Sequence, residues 1–292
     1  MGEVVWQNGR VFPRAQARIS VFDHGFLYGD SIYETIRTTR GVPFLLDRHL
    51  ARLRNSASLI RLQLDLHGND YTQAIAAALQ AAENDESAIR VVVTRGVGDI
   101  GYGSHLCPVP STLVYVRPLP SIRNPELRQG IRVVILDVLR NDPRALSPAI
   151  KSGNLLNNIL GALEAEHKGA SEGIMLNRDG QVTEGTMTNV FAVQNGVLQT
   201  PPPESGILPG ITRGFVLELA REAGVQVQET PFSAAALCQA DEAFITGTTR
   251  GILPIIAVDE DPLGSGVPGP LTVRLTRLFD AAEDRLAGSG SR

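Results

Sequence analysis

Lysine is almost missing from this 292-residue chain. Of its 27 basic residues only Lys151 and Lys168 are lysines, and the rest are arginines. Arginine replaces lysine as a surface charge, but it stays protonated and cannot form an imine, so a retained lysine is informative. Cysteine is equally scarce, with Cys107 far from Cys238. A disulfide framework is excluded, and no structural bridge is expected. His24, His49, His67, His105 and His167 fall at no metal-ligand spacing, so no metal site is expected. No apolar run approaches the roughly 20 residues that span a bilayer. The first ten residues lack a basic stretch followed by an apolar one, and Trp6 stands where a myristoylation motif needs Ser or Thr. The formal net charge of −4 gives no reason to expect nucleic acid or an anionic membrane as partner. The expectation is a cytoplasmic protein.

What is there reads as a globular α+β chain. Val4 to Phe12 alternates around Asn8-Gly9, a hairpin signal. Ser31 to Thr39, Ile89 to Thr94 and Thr112 to Val116 read as strands. His49 to Leu59 and Tyr71 to Ala82 carry helical spacing. Arg117 to Gly130 holds three prolines and little apolar pattern, which marks a boundary. It separates a domain at 1–118 from one at 130–292, through a linker at 119–129. In the second domain Ile131 to Leu136, Ile174 to Leu176, Asn189 to Val193 and Ala243 to Thr246 read as strands. Leu155 to His167, Thr212 to Ala223 and Leu271 to Leu286 read as helices. Strands and helices mix without a regular βαβ alternation, which favours α+β over a doubly wound sheet. Gly96-Val97-Gly98-Asp99-Ile100-Gly101 matches a dinucleotide fingerprint, but Pro108 and Pro110 follow where a helix must open. A glycine-rich hairpin loop is the better reading.

Five pieces carry chemistry. Lys151 ends an apolar approach, Pro148-Ala149-Ile150, just before the helix from Leu155. Partial desolvation there lowers an amine's pKa and makes it a nucleophile. A helix start is also a poor place for a solvated cation, whereas Lys168 sits at a helix C-terminus where one belongs. Glu184 lies in Val182-Thr183-Glu184-Gly185-Thr186-Met187-Thr188-Asn189. Its carboxylate could pair with a pyridinium nitrogen, or be an ordinary strand-end charge. Pro209-Gly210-Ile211-Thr212-Arg213 opens a helix, an anion site or simply an N-cap at Thr212. Thr246-Gly247-Thr248-Thr249 is a turn with hydroxyls for a phosphate. His49 and Arg52 share a helix face, and Arg52 could close on the same phosphate.

Singly each piece is weak. Together and in this order, the sequence resembles the class IV aminotransferases, the fold-type IV enzymes of pyridoxal 5'-phosphate (PLP). The likeness runs from about Asn8 to about Phe279. It rests on His24-Gly25-Phe26-Leu27-Tyr28-Gly29-Asp30, Tyr33-Glu34, His49 to Leu53, Lys151 to Leu156, Thr183-Glu184-Gly185, Asn189-Val190-Phe191, Gly210 to Arg213 and Thr246 to Thr249. The resemblance implies a two-domain fold: a small N-terminal α/β domain and a larger C-terminal pseudo-barrel, with PLP between them. It implies that Lys151 carries the cofactor as a Schiff base and shuttles the proton. Glu184 would pair with the ring nitrogen. Arg52, Ile211, Thr212, Gly247 and Thr248 would hold the phosphate. The smallest assembly would be a homodimer, with residues near Tyr28 reaching the neighbour's site.

Within the family the signals divide. Tyr28, Arg37, Arg90 and the Gly98-Asp99-Ile100-Gly101 loop resemble the branched-chain aminotransferases. Tyr33, Leu155-Leu156 and Thr248-Thr249 resemble the D-amino-acid branch. Ala88 and Leu155 stand where the branched-chain branch keeps tyrosines. The expected reaction is a ping-pong transamination between an amino acid, foremost an L-branched-chain or related hydrophobic one, and a 2-oxo acid. Tyr28, Tyr33, Arg37, Arg90 and Thr249 are the expected substrate contacts. D-amino-acid transamination is the alternative, ahead of aminodeoxychorismate lyase or R-selective amine transaminase activity. A non-catalytic descendant is disfavoured by the retention of Lys151, Glu184 and Arg52.

Overall fold

The computed structural model describes residues 2–64, 70–120 and 125–289. His67 and residues 121–124 of the expected linker lie outside the described residues, as do 290–292 of the tail. Two compact units emerge. The first draws on the described residues within Met1–Ser121, Ile150–Asn154 and Leu286–Arg292. The second draws on those within Ile122–Ala149 and Leu155–Arg285.

The first unit is an antiparallel sheet with helices on one face. Its strands are β1 (Val4–Gln7), β2 (Arg10–Pro13), β3 (Ser31–Thr39), β4 (Val42–Pro43), β5 (Ser87–Thr94) and β6 (Ser111–Pro118), in the order β2-β1-β6-β5-β3-β4. The Asn8-Gly9 turn has both residues at positive φ, as a two-residue hairpin requires. Short helix α1 (His24–Tyr28) is capped by Asp23, whose side chain accepts from Gly25 N–H. Helices α2 (Leu46–Leu59) and α3 (Tyr71–Ala82) bury Leu50, Leu53, Ile75 and Ala78 against Ile32, Ile36, Ile89, Val91 and Val114. Strand period 2 puts Glu34 on the same face as Ile32 and Ile36, under α2. Tyr33 and Arg37 take the other face. Arg90, directly opposite Thr35, joins them there.

The boundary expected from composition needs a correction. The sequence assigns Lys151 to the C-terminal domain. In the structure residues 150–154 form a strap on the first unit's sheet, because their backbone pairs with β3. Tyr33 N–H donates to Lys151 O (2.9 Å), Gly153 N–H donates to Ser31 O (2.8 Å), and Ile32 bridges Ser152. Lys151 therefore does not sit at the end of a strand of its own.

The second unit is a nine-stranded sheet that closes on itself. Its elements are α4 (Pro125–Arg128), β7 (Ile131–Ile135), α5 (Leu156–His167), β8 (Glu172–Leu176), β9 (Val182–Gly185), β10 (Asn189–Gln194) and β11 (Val197–Thr200). There follow α6 (Ile211–Glu222), β12 (Val227–Glu229), α7 (Ala234–Cys238), β13 (Glu242–Gly247), β14 (Gly251–Val258), β15 (Asp261–Pro262) and α8 (Pro270–Ser289). The order is β12-β11-β10-β13-β14-β7-β8-β9, and β9 pairs back onto β10 through Asn189 and Glu184. That pairing makes a six-stranded ring, the pseudo-barrel the resemblance implies. Val133, Ile174, Val190, Ala192, Ile245 and Leu253 pack in one core of the ring. The parallel pair β7–β8 is joined by the crossover helix α5. Strands β9, β11, β12, β14 and β15 are not evident in the sequence. They are short, or carry Gly and Pro, so alternation hardly registers. Among the described residues no helix is long and apolar enough to cross a membrane.

Candidate active site

The first unit gathers four of the expected residues. Lys151 Nζ lies 4.5 Å from the centre of the Tyr33 ring, and the Arg90 guanidinium lies 3.8 Å from it. Two cations thus share one phenol ring, which attracts each through its π face. The strap also anchors Lys151 from below, since Lys151 N–H donates to Ser56 Oγ (3.2 Å), a buried residue of α2. Arg37 is buried, its guanidinium 5.1 Å from the Phe44 ring centre.

Arg52, expected at a phosphate, is bidentate to Glu34. Nε donates to Oε1 (2.7 Å) and Nη2 to Oε2 (2.8 Å). His49, one helical turn earlier, meets Glu34 Oε2 through Nδ1 (2.8 Å). All three side chains are buried. Burial alone would raise the Glu34 carboxyl, but the hydrogen bonds from Arg52 and His49 outweigh it and hold it at about 2. Burial pushes His49 down despite the Glu34 carboxylate. At neutral pH the cluster is one carboxylate, one guanidinium and a neutral imidazole that donates from Nδ1. Glu34 is a residue whose role the sequence does not reveal, since nothing in Tyr33-Glu34-Thr35 says which face α2 will cover.

Tyr28 stands in another cluster of the same unit. Its hydroxyl accepts from Gly101 N–H (3.1 Å), and its ring meets His24 and Tyr102 edge-on. His24 Nε2 lies 2.9 Å from Asp99 O, where a ring N–H can donate to the carbonyl. The glycine-rich segment is therefore a loop folded onto α1. It has no helix where a dinucleotide site needs one.

The second unit holds the expected anion-binding pieces. Glu184 is 5% exposed and fully engaged on both oxygens. Arg140 Nε donates to Oε1 (2.8 Å), while Leu208 N–H (2.9 Å) and Asn189 Nδ2 (3.3 Å) donate to Oε2. Arg140 Nη1 in turn donates to Asn157 Oδ1 (3.1 Å) and Asn158 Oδ1 (3.3 Å) on α5. Arg140, Asn157 and Asn158 are functional residues that sequence reasoning misses. They lie far from Glu184 along the chain, and their relation exists only in the fold.

The capping expected of Thr212 is not what occurs. The N-cap of α6 is Gly210, which offers no side-chain acceptor, and Thr212 is already inside the first turn. The helix start thus leaves the N–H groups of Ile211, Thr212 and Arg213 without a side-chain cap, on a surface that no Cβ shields. The turn Gly247-Thr248-Thr249-Arg250 closes with Arg250 N–H donating to Gly247 O (3.1 Å). Arg250 Nη1 donates to the buried Glu172 carboxylate (3.1 Å), which also accepts from Thr186 N–H (3.0 Å) and Thr188 Oγ1 (3.2 Å).

A strap bearing a lysine, an engaged carboxylate on a closed barrel and an uncapped helix start agree with what the sequence resembles. The family model described as "Amino-transferase class IV" matches residues 31–258. The chain is a class IV aminotransferase. It is 38% identical over 275 residues to a putative branched-chain-amino-acid aminotransferase of Methanocaldococcus jannaschii, covering 94% of each chain. It is 36% identical over 269 residues to the D-alanine aminotransferase of Bacillus licheniformis, covering 91% of this chain and 92% of the relative. Among solved structures, a T.th. branched-chain amino acid aminotransferase with pyridoxamine 5'-phosphate superposes with a TM-score of 0.91 at 30% identity. That match covers 97% of this aminotransferase and 94% of the other chain.

Proposed function

We propose that this aminotransferase moves the amino group of an L-branched-chain or related hydrophobic amino acid to a 2-oxo acid, with ping-pong kinetics. The cofactor is pyridoxal 5'-phosphate. The residues present fit it. The start of α6 offers uncapped N–H donors for a phosphate, and Glu184 offers a buried carboxylate for a protonated pyridine nitrogen. Lys151 offers a primary amine for an imine, a bond that no arginine in the chain can make.

Bound through Lys151, the cofactor supplies an electron sink for the pair left at a substrate Cα. Each protein group then has a defined task. Glu184, its charge balanced by Arg140, keeps a proton on the ring nitrogen. The Lys151 amine, once freed, takes the Cα proton as general base and returns it to the adjoining carbon. Tyr33 holds that amine over its ring and limits its reach. Arg52, Ile211, Thr212, Gly247 and Thr248 hold the phosphate. Arg90, stacked on Tyr33 with no carboxylate partner among the described residues, is a cation available to a substrate carboxylate. Tyr28, Arg37 and Thr249 complete the substrate contacts.

The Lys151–Tyr33–Arg90 arrangement carries this reading. It joins an imine-forming amine to a carboxylate-binding cation across one aromatic ring. The branched-chain preference is supported by the near-complete match to branched-chain aminotransferases. The phenol at Tyr33 and the likeness to the D-alanine enzyme favour a second reading, D-amino-acid transamination. A half-reaction screen separates them. L- and D-Leu, L- and D-Ala, L- and D-Glu and an R-amine are each added without acceptor, and loss of the PLP absorbance is followed. Bleaching by L-Leu and not D-Ala supports the first reading. The reverse supports the second, and release of pyruvate from aminodeoxychorismate without an acceptor would overturn both.

A further inference from the structure

Thr246 is 1% exposed, and its hydroxyl has no hydrogen-bond partner. Buried polar atoms are paired in the great majority of cases, so such an exception asks for a cause. Its position supplies one. Thr246 stands directly opposite Asn189 in the β10–β13 pair, so the two side chains share a face of the sheet. Two residues along, Phe191 and Phe244 stack on that same face with ring centres 4.7 Å apart. The opposite face, carrying Val190, Ala192, Ala243 and Ile245, belongs to the barrel core. Asn189 is fixed by donating to Leu208 O (2.9 Å) and to Glu184. A Cβ on Gly210 would come within 1.9 Å of Asn189 Oδ1, so the start of α6 is pressed against this corner. The next residue, Gly247, opens the turn that carries Thr248. The unpaired hydroxyl therefore shares its face with the Glu184 carboxylate and the uncapped start of a twelve-residue helix.

We propose that the Thr246 hydroxyl is a cofactor ligand, held unpaired by the fold and donating to an oxygen of the PLP phosphate. The proposal rests on the PLP reading above and adds a residue to it. The helix start attracts an anion, and an anion is the partner that a lone hydroxyl donor best accepts. The hydroxyl of Thr246 then costs the apoprotein stability and returns it on binding. Deleting it should act in opposite directions on the two forms.

Thr246→Val removes the hydroxyl and keeps the shape. Cofactor is stripped with hydroxylamine, and melting and PLP rebinding are measured for wild type, Thr246→Val, Thr246→Ser and Thr246→Ala. The Val apoprotein is expected to melt no lower than the wild-type apoprotein. Its PLP dissociation constant should rise about tenfold, the equivalent of ~1.4 kcal/mol. Its weaker imine with pyridoxal, which lacks the phosphate, should be unchanged. Protection of the apoprotein by inorganic phosphate should fall in the Val variant. Ser should rebind PLP as wild type does, and Ala should be weakened as Val is. The Ser and Ala pair decides the matter should Val disturb folding, because those two differ only by the hydroxyl. Wild-type PLP affinity in both Val and Ala would overturn the proposal. So would equal weakening of PLP and pyridoxal, which would assign the hydroxyl to the ring. A wild-type chain that takes up no PLP would overturn the cofactor reading itself and the proposal with it.

Discussion

At the scale of the residue, two side chains bear most of the chemistry. Lys151 is held at its backbone by Ser56 and β3 and at its amine by the Tyr33 ring. Lys151→Ala should leave the melting temperature within a few degrees, since the strap is fixed through its backbone. It should lower transamination by at least about a thousandfold, in the range of a lost general base. Borohydride should no longer fix PLP on the protein, as read by mass spectrometry of the tryptic peptide. Persistent fixation in the variant would place the imine elsewhere. Arg140 is the second residue. Its bond to Glu184 is buried on both sides, and breaking a buried pair strands a charge at a cost of about 3–5 kcal/mol. Arg140→Leu should therefore lower stability by that order in urea titration, while Arg140→Lys should lose less. A variant as stable as wild type would show that Glu184 needs no counter-charge.

At the scale of the element, β3 and α2 are locked by Glu34, His49 and Arg52. The folded chain holds Glu34 at about 2, below the carboxylate's ordinary value near 4.3. A lowered carboxylate stabilises fully above its unfolded value and loses that stability as pH falls toward the folded one. The shift corresponds to roughly 3 kcal/mol at neutral pH. His49 is also pushed down, from about 6.5. The unfolded chain takes its proton first, so this group too costs stability on acidification, beginning below about 6.5. The two slopes have the same sign. Urea midpoints should fall from pH 7 to pH 3, most steeply below about 4.5. Glu34→Gln should be less stable at pH 7, because Arg52 loses its charged partner, and should show a shallower fall below pH 5. A wild-type midpoint that rises on acidification would contradict the assignment.

At the scale of the whole molecule, several apolar side chains remain in solvent. Leu156, Ile159, Leu160 and Leu163 form one exposed row along α5, at the i, i+3, i+4, i+7 spacing of a packing face. Phe22, Phe26, Ile100 and Tyr102 are exposed around α1 and the glycine-rich loop. Such rows call for a cover, and they support the proposed homodimer. Light scattering should give twice the 31.4 kDa chain mass at micromolar concentration. The double change Leu160→Asp with Leu163→Asp should shift the chain toward monomer. A wild-type enzyme that is monomeric and fully active would end the homodimer proposal.

The sequence by itself determined the chemistry and most of the elements. A lone lysine before a helix, a carboxylate in Thr183-Glu184-Gly185 and threonine-bearing turns are local signals, as are the Asn8-Gly9 hairpin and the period of α3. Each depends on neighbours within a few residues. The tertiary structure decided what those residues touch. It moved the Lys151 strap onto the first unit's sheet, set Glu34 against Arg52, gave Glu184 to Arg140, and left Thr246 without a partner. These are pairings between segments distant along the chain. They are set by strand register and by which sheet face a helix covers, and neither is written in any single stretch of residues.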